Sequence, residues 1–301
     1  TWANYPLGVA REFDKLNRKP GGFDAVIDGG VPLGSGLSSS AALEVATACA
    51  IEAMQGEALD PLERALLCQR AENQFVGVNC GLMDQAASSC CRKGHALLLD
   101  CGKPEYKQTP FPEDKLAVIV AHSGVHRGLS ASAYNERRGQ CEQALEILNK
   151  ASGAEYPHLC AMPGDVFDKY SPQLPELLQR RARHAVREMI RVESAVKMLA
   201  EEKLEQIGRI LNESHYSLRD DYEVSCEELD KLTGLARSFD GVYGSRLTGA
   251  GFGGCTVTLA NPQVAEDLIA FLNVHYYQPR QLEPLVFSTT PAPGAEVFSL
   301  A

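Results

Sequence analysis

The stretch Val31-Pro32-Leu33-Gly34-Ser35-Gly36-Leu37-Ser38-Ser39-Ser40-Ala41-Ala42-Leu43 constrains this chain more than any other. A glycine- and serine-rich loop runs directly into a helix expected over Ser39 to Met54. Its apolar stripe is Leu43, Ala46, Ala50, Ile51 and Met54, at i, i+3, i+4 spacing, while Glu44 and Glu52 share another face. Gly56 follows as a stop signal. A helix start of this kind presents unpaired N–H groups and the positive end of the helix dipole, which together form an anion site. The glycines let backbone approach a phosphate closely. The serine hydroxyls can cap the helix, donate to phosphate oxygens or take part in binding a hydrated Mg²⁺. No Lys follows the glycines, so the loop is not a Walker A motif. Position 39 is Ser, so it is not G-x-G-x-x-G either. Nor does it have the G-x-S-x-G nucleophile elbow. A flexible loop with serine N-caps is the competing reading.

A second glycine loop, Gly244-Ser245-Arg246-Leu247-Thr248-Gly249-Ala250-Gly251-Phe252-Gly253-Gly254-Cys255, joins two strand-like runs. Five glycines within eleven residues are costly in conformational entropy. Close approach to a ligand or to another loop would justify them; a tight strand connection is the alternative.

Around these loops the chain mixes helical and strand patterns without strict alternation, which points to an α+β architecture. Short strands are expected at Phe23–Asp28, His95–Asp100, Leu116–Ala121 (buried on both faces), Tyr243–Leu247, Cys255–Ala260, Leu285–Ser288 and Glu296–Ser299. Asp60-Pro61 opens a helix to about Phe75, with Asp as N-cap and Pro at the first position. Further helices are expected near Ser130–Ser152, Arg183–Ala200, Lys203–Ser217 and Ser225–Phe239, and after Pro262. The last-named capping-box start is Ser225-Cys226-Glu227-Glu228. A polar link from Gly102 to Asp114 marks the expected domain boundary, and 301 residues suit about two domains.

Composition excludes several classes. The chain is 45% hydrophobic and 23% charged, as a globular protein is, which rules out disorder as its main state. Its longest apolar runs fall far short of the ~20 residues that cross a bilayer. No basic start followed by an apolar stretch is present, so no signal peptide and no membrane association are expected. With 29 Lys and Arg against 39 Asp and Glu, the net charge of −10 argues against nucleic-acid binding. It leaves room for one small anion at a local backbone site. Ten cysteines without a C-x-x-C pair read as reduced, mostly buried residues of a cytoplasmic protein. His122 and His126 are poorly placed for a metal pair, because Gly124 between them follows a strand. Arg180, Arg181 and Arg183 read as a solvated helix start.

At this point the sequence resembles a known family. Pro32 to Ala41 is similar to the ATP-binding motif of the GHMP kinases, and Leu247 to Cys255 to that superfamily's C-terminal glycine motif. Gly77-Val78-Asn79-Cys80-Gly81-Leu82-Met83-Asp84-Gln85, Lys93 to Leu98, Tyr134 to Arg138, Arg181 to His184 and Ser214 to Cys226 narrow the resemblance to galactokinases. The resemblance covers essentially the whole chain in order. It implies the GHMP kinase fold: an N-terminal α+β domain and a C-terminal α+β sandwich with the active site between them. Residues 1–103 would form the first, incomplete at its start, and 104–301 the second. It implies ATP-dependent phosphorylation of the anomeric hydroxyl of D-galactose, in galactose catabolism, with ATP as co-substrate and Mg²⁺, by a monomer.

The resemblance also implies roles. Asp84 is the expected base; a carboxylate placed there can take the hydroxyl proton or mainly orient the hydroxyl. Gly81 and Tyr134 join Asp84 against the sugar. From spacing alone Tyr134 would be a helix-surface residue. Trp2, Gly34, Ser35, Gly36, Leu37, Ser38, Ser39 and Ser40 are expected on ATP, although a lone Trp would otherwise be a packing residue. Gly249, Gly251 and Gly253 lie near the site. Ser40 and Glu72 match Mg²⁺ ligands; otherwise Glu72 is an exposed helix carboxylate. Galactokinases carry a further polar motif with an Arg, a Glu, a His and an Asp upstream of the Trp2 region. No equivalent occurs in these 301 residues, so a chain starting at Thr1 is expected to have little activity. An N-acetylgalactosamine kinase is the nearest rival. A non-catalytic galactose and ATP sensor, or an inactive fragment, is the rival from another class; intact Ser39-Ser40-Ala41 favours the enzyme.

Overall fold

A computed structural model describes residues 1–32, 35–125 and 130–298, apart from the side chains of residues 130–132 and 134. The chain divides into two units, Thr1–Phe111 with the C-terminal segment from Thr290, and Pro112–Thr289. Both mix helices with antiparallel strands, as an α+β chain should.

The first unit contains α1 (Asn4–Lys15), α2 (Ser39–Gln55), α3 (Pro61–Ala71), α4 (Met83–Cys90) and a hairpin of β1 (His95–Asp100) and β2 (Glu105–Pro110). Helix α1 escapes the sequence pattern because Pro6 interrupts it, yet Pro is tolerated in a first turn. Its Val9 and Phe13 are fully buried against Val45 and Ile51 of α2 and Leu67 of α3. Asp60 caps α3 as expected, accepting from the Leu62 amide at 2.9 Å. Helix α4 packs on α3 and the hairpin through Leu82, Ala86, Leu97 and Leu99. The C-terminal segment closes the far end of α4: Gly294 N donates to Cys91 O at 2.7 Å and Ala295 N to Ser88 O at 2.9 Å.

Several expectations change here. Phe23–Asp28 is not a strand: no described segment pairs with it, and Val26 is 99% exposed. Residues 296–298 of the expected last strand are likewise unpaired. The link from Gly102 holds β2, whose polar alternation suits a hairpin with one wet face. In α2 the buried face is Ala41, Glu44, Val45, Ala48, Cys49, Ile51 and Glu52, and Met54 is exposed. Both glutamates are inside because partners on other helices receive them; Glu52 takes a two-pronged ion pair from Arg64 at 2.9 and 2.7 Å.

The second unit is built on an antiparallel sheet in the order β4 (Val242–Leu247), β5 (Cys255–Ala260), β3 (Ala117–His122), β6 (Val286–Thr289). Strand β3 is buried on both faces, as its apolar run implied. The buried hydroxyls of Tyr276 and Tyr277 donate to Ser123 O and His122 O at its end, at 2.7 and 2.8 Å. Helices α5 (Ser130–Ser152), α6 (Gly164–Tyr170) and α7 (Glu176–Ala200) share a core of Ala144, Leu148, Phe167 and Ala182. Helices α8 (Leu204–Asp220), α9 (Glu227–Arg237) and α10 (Ala265–Leu272) follow. Helix α7 starts before Arg183, directly after Pro175. The capping box of α9 does not form: Cys226 is the N-cap, and the Ser225 hydroxyl donates to Asp230 at 2.6 Å instead. Among the described residues no helix is long and apolar enough to cross a membrane.

Helix α8 meets β4 backbone to backbone. A Cβ on Gly208 would lie 2.0 Å from Tyr243 O, and one on Gly244 would lie 2.2 Å from Gly208 O. Neither obstacle is a flexible side-chain end, so the helix itself would have to lift. Gly208→Ala should therefore cost about 1–3 kcal/mol, the range for overpacking, read as a shift of the urea midpoint.

Candidate functional site

The loop before α2 carries backbone in the left-handed region at Gly36 (φ 78°) and at Ser38 (φ 62°). For a serine this costs roughly 1–2 kcal/mol, and such strain gathers at functional sites. The loop is braced from within: the Ser35 hydroxyl donates to Pro32 O at 2.7 Å and accepts from Leu37 N at 3.2 Å. Ser38 occupies the N-cap position of α2, but no side-chain hydrogen bond caps the helix. The serine-capped reading of the loop is therefore not met. The N–H groups of the first turn remain available to an anion, as a phosphate site needs. Gly34 lies outside the described residues.

Beside this helix start three acidic side chains gather from three elements. Glu44 comes from the second turn of α2 and is fully buried. Glu72 comes from a π-helical turn, Glu72–Val76, that widens the end of α3; it is 5% exposed, not a surface carboxylate. Turns of this type are rare and concentrate at functional sites. Asp84 sits half-buried in the first turn of α4. The Gln85 amide nitrogen donates to Glu72 Oε2 at 2.7 Å and to Glu44 Oε2 at 3.2 Å. The Cys80 thiol also donates to Glu72 Oε2, at 3.4 Å. Asn73 pins the loop that carries Cys80 and the exposed Gly81: Cys80 N donates to Asn73 Oδ1 at 2.8 Å.

Electrostatics follow from burial without cations. No ion pair between described residues involves Glu44, Glu72 or Asp84. Burial, reinforced by the negative charge of Glu72, pushes the Glu44 carboxyl up to about 8. Burial also raises Glu72, opposed by hydrogen bonds from Cys80 and Ser40, while the charge of Asp84 adds to the rise. Burial raises Cys80 to about 12, so it is a thiol that donates rather than a thiolate. The Tyr5 hydroxyl, also raised by burial and then by Glu72 and Glu44, faces the same cluster. Ser40, Glu72 and Asp84 are thus brought together as the sequence suggested. Glu44, Gln85, Cys80, Asn73 and Tyr5 were not foreseen. Two signals were present: a carboxylate inside the apolar window of α2, and an amide next to Asp84.

Among the described residues no group of three His, Cys, Asp or Glu side chains could hold a metal ion; one carboxylate and one hydroxyl are nevertheless a donor set that suits Mg²⁺, which takes its remaining oxygens from phosphate and water. Ser40 and Glu72 are the residues that could hold it. Trp2 precedes α1 and is 65% exposed, so it is not a core residue.

In the second unit the glycine loop has φ of 74°, 81° and 122° at Gly249, Gly251 and Gly253. The close approach that demands glycine there is to other backbone. A Cβ on Gly251 would lie 2.2 Å from Val224 O, and one on Gly253 would lie 2.7 Å from Val125 O. Phe252 N donates to Val224 O at 2.7 Å and Gly254 N to Val125 O at 3.1 Å. The Tyr134 side chain and His126 lie outside the described residues. One turn beyond Tyr134, Arg137 fixes α5 by donating to Tyr222 O at 2.8 Å and Glu223 O at 3.2 Å. Of the arginines at the start of α7, Arg183 is exposed, as expected, but Arg180 and Arg181 are not a solvated pair. Arg181 is 1% exposed and pairs with Glu223 at 2.6 Å, as does Arg180. They clasp a turn in which Glu223 itself has φ 55°.

The proton balance at Glu44 is testable. Unfolded, its carboxyl titrates in the usual carboxylate range; folded, it titrates near 8. Between these values the folded chain keeps a proton that the unfolded chain has lost. Stability from this group is complete at the acid end and falls as pH rises through the window. Glu44→Gln should flatten the decline of melting temperature between about pH 5 and about pH 9. An unchanged slope would show that Glu44 is ionised in the folded chain.

Comparison with known proteins places this arrangement. Residues 4–92 match the GHMP kinases N terminal domain and residues 195–278 the GHMP kinases C terminal family. The galactokinase of Bacillus subtilis (strain 168) is 41% identical over 279 residues, covering 92% of this chain and 71% of that protein. The galactokinase of Homo sapiens is 43% identical over 276 residues, covering 91% and 68%. The crystal structure of Lactococcus lactis galactokinase complexed with galactose superposes with a TM-score of 0.87 at 31% identity, covering 98% of this chain and 76% of that one. A mevalonate kinase structure, at a TM-score of 0.63 and 21% identity, shares the fold. With this identity over nine-tenths of its length, matched in both units, the chain belongs to the galactokinase family of GHMP kinases.

Proposed function

We propose that this chain transfers the γ-phosphoryl group of ATP to the anomeric hydroxyl of D-galactose, giving galactose 1-phosphate and ADP. The observation that carries the reading is the convergence of Asp84, Glu72 and Ser40 beside the uncapped N-terminus of α2. The bond between the sugar oxygen and phosphorus forms as the bond from phosphorus to the ADP oxygen breaks. Phosphoryl transfer needs mainly positioning and charge stabilisation. The first-turn N–H groups of α2 and the left-handed loop before it hold the phosphates, through Ser35, Gly36, Leu37, Ser38, Ser39 and Ser40. Trp2 offers an exposed ring to the adenine.

Asp84 takes the proton of the attacking hydroxyl and keeps that hydroxyl oriented. Gly81, exposed on the pinned loop before it, and Tyr134 of α5 contact the sugar. Ser40 and Glu72 would hold Mg²⁺, which when bound neutralises charge on the phosphate oxygens. Gly251 and Gly253 hold the glycine loop, which begins with the left-handed Gly249, close to neighbouring backbone. Domain limits near residues 103 and 104 belong to this reading, as do a monomeric state and a cytoplasmic location.

A coupled ADP-release assay on the full encoded chain tests it, with galactose, N-acetylgalactosamine or no sugar. ADP release should depend on galactose and exceed that with N-acetylgalactosamine. Asp84→Ala should lower kcat by about 10²–10⁴-fold, the usual range for a lost general base. Equal signals with and without galactose would end the kinase reading.

A further inference from the structure

We infer that Gln85 is a positioning residue that sets the direction of the Glu72 carboxylate, and through it the divalent-cation site of Ser40 and Glu72. The inference rests on the kinase reading above and names a residue that this reading leaves idle.

Gln85 is fully buried and so does not face substrate. Its one amide nitrogen bridges two carboxylates from different elements, Glu44 of α2 and Glu72 of the π-helical turn. Rotating the amide would aim its oxygen at both carboxylates, so the network assigns its orientation. The consequence is visible at the other end: Gln85 Oε1 is buried and receives no hydrogen bond from any described residue. The amide is thus oriented by the two carboxylates, on its nitrogen side.

Its effect on Glu72 is directional. Gln85 Nε2 donates to Oε2 at 2.7 Å, and the single proton of the Cys80 thiol is shared between that oxygen, at 3.4 Å, and Asn73 Oδ1, at 3.3 Å. The short amide bond sets the rotation of the carboxylate, and with it the direction of Oε1. Gln85 also follows Asp84 in the first turn of α4. One amide therefore registers the helix of the proposed base against α2, whose N-terminus forms the phosphate loop, and against Glu72. Groups that orient metal ligands in this way typically change metal affinity by about 10–100-fold when removed.

The test is Mn²⁺ binding in the presence of ADP, followed by electron paramagnetic resonance on the full encoded chain and on Gln85→Met. Methionine keeps the length and volume and removes the donor. The Mn²⁺ dissociation constant should rise about 10–100-fold. The KM for galactose should change by a smaller factor than the Mn²⁺ dissociation constant, and higher metal concentration should recover kcat. A folding defect would instead lower the number of sites without changing their affinity. Mn²⁺ affinity in Gln85→Met within about twofold of the parent would overturn the inference and leave the kinase reading intact. A parent that binds no Mn²⁺ with ADP would overturn the metal role of Ser40 and Glu72 as well. If Gln85→Met does not fold, Gln85→Asn, which retracts the donor by one methylene, decides: parent-like Mn²⁺ affinity there overturns the inference.

Discussion

The first unit buries two carboxyl groups, Glu44 and Glu72, that have no basic partner among the described residues. Helix α2 makes the point within its own length. Glu52 is buried and receives both arms of Arg64, the arrangement that lets a charge be taken out of water. Glu44, two turns earlier on the same face, has no such partner. It meets a second carboxylate and one amide. Taking charge from water costs several kcal/mol per ion when no counter-charge replaces the solvent. Here burial and the neighbouring carboxylate push Glu44 up to about 8, and Gln85, Cys80 and Ser40 supply hydrogen bonds to the pair. Glu52 is thus a structural charge, whereas the Glu44–Glu72 pair has no counter-charge among the described residues.

The elements around this pair are positioned accordingly. The π-helical turn at the end of α3 delivers Glu72, and Asn73 ties down the loop that delivers Cys80 and Gly81. The C-terminal segment satisfies carbonyls at the far end of α4, the helix that carries Asp84 and Gln85 at its start. The left-handed Ser38 keeps the start of α2 free of a side-chain cap. Each device adds local strain or order around the acidic cluster.

The second unit achieves its order by removing side chains. Gly208 and Gly244 let a helix lie on strand backbone, and Gly251 and Gly253 let a loop lie on two other loops. The turn at Glu223 is held by arginines from both α5 and α7. By local pattern Arg180 and Arg181 looked solvated, as charges at a helix start usually are. Their partner Glu223 lies about forty residues on, which no local pattern reports.

The α+β class, the strands of the second sheet, the caps at Asp60 and Gly56 and the family resemblance were all legible in the amino-acid sequence. They follow from local periodicity, turn chemistry and motif spacing, which act over a few residues. The proposed site roles of Ser40, Glu72 and Asp84 come from motif resemblance alone. Tertiary structure decided which face of α2 is inside. A stripe of apolar residues predicts the buried face only when no buried polar group is paired, and here Arg64 and Gln85 draw Glu52 and Glu44 inward. It also decided that Phe23–Asp28 is not a strand, since a strand exists only when another takes its hydrogen bonds. The roles of Gln85 and Cys80 belong to the same class. Their meaning lies in bonds to a residue eight to thirteen positions away on another element, and only the folded chain brings those atoms together.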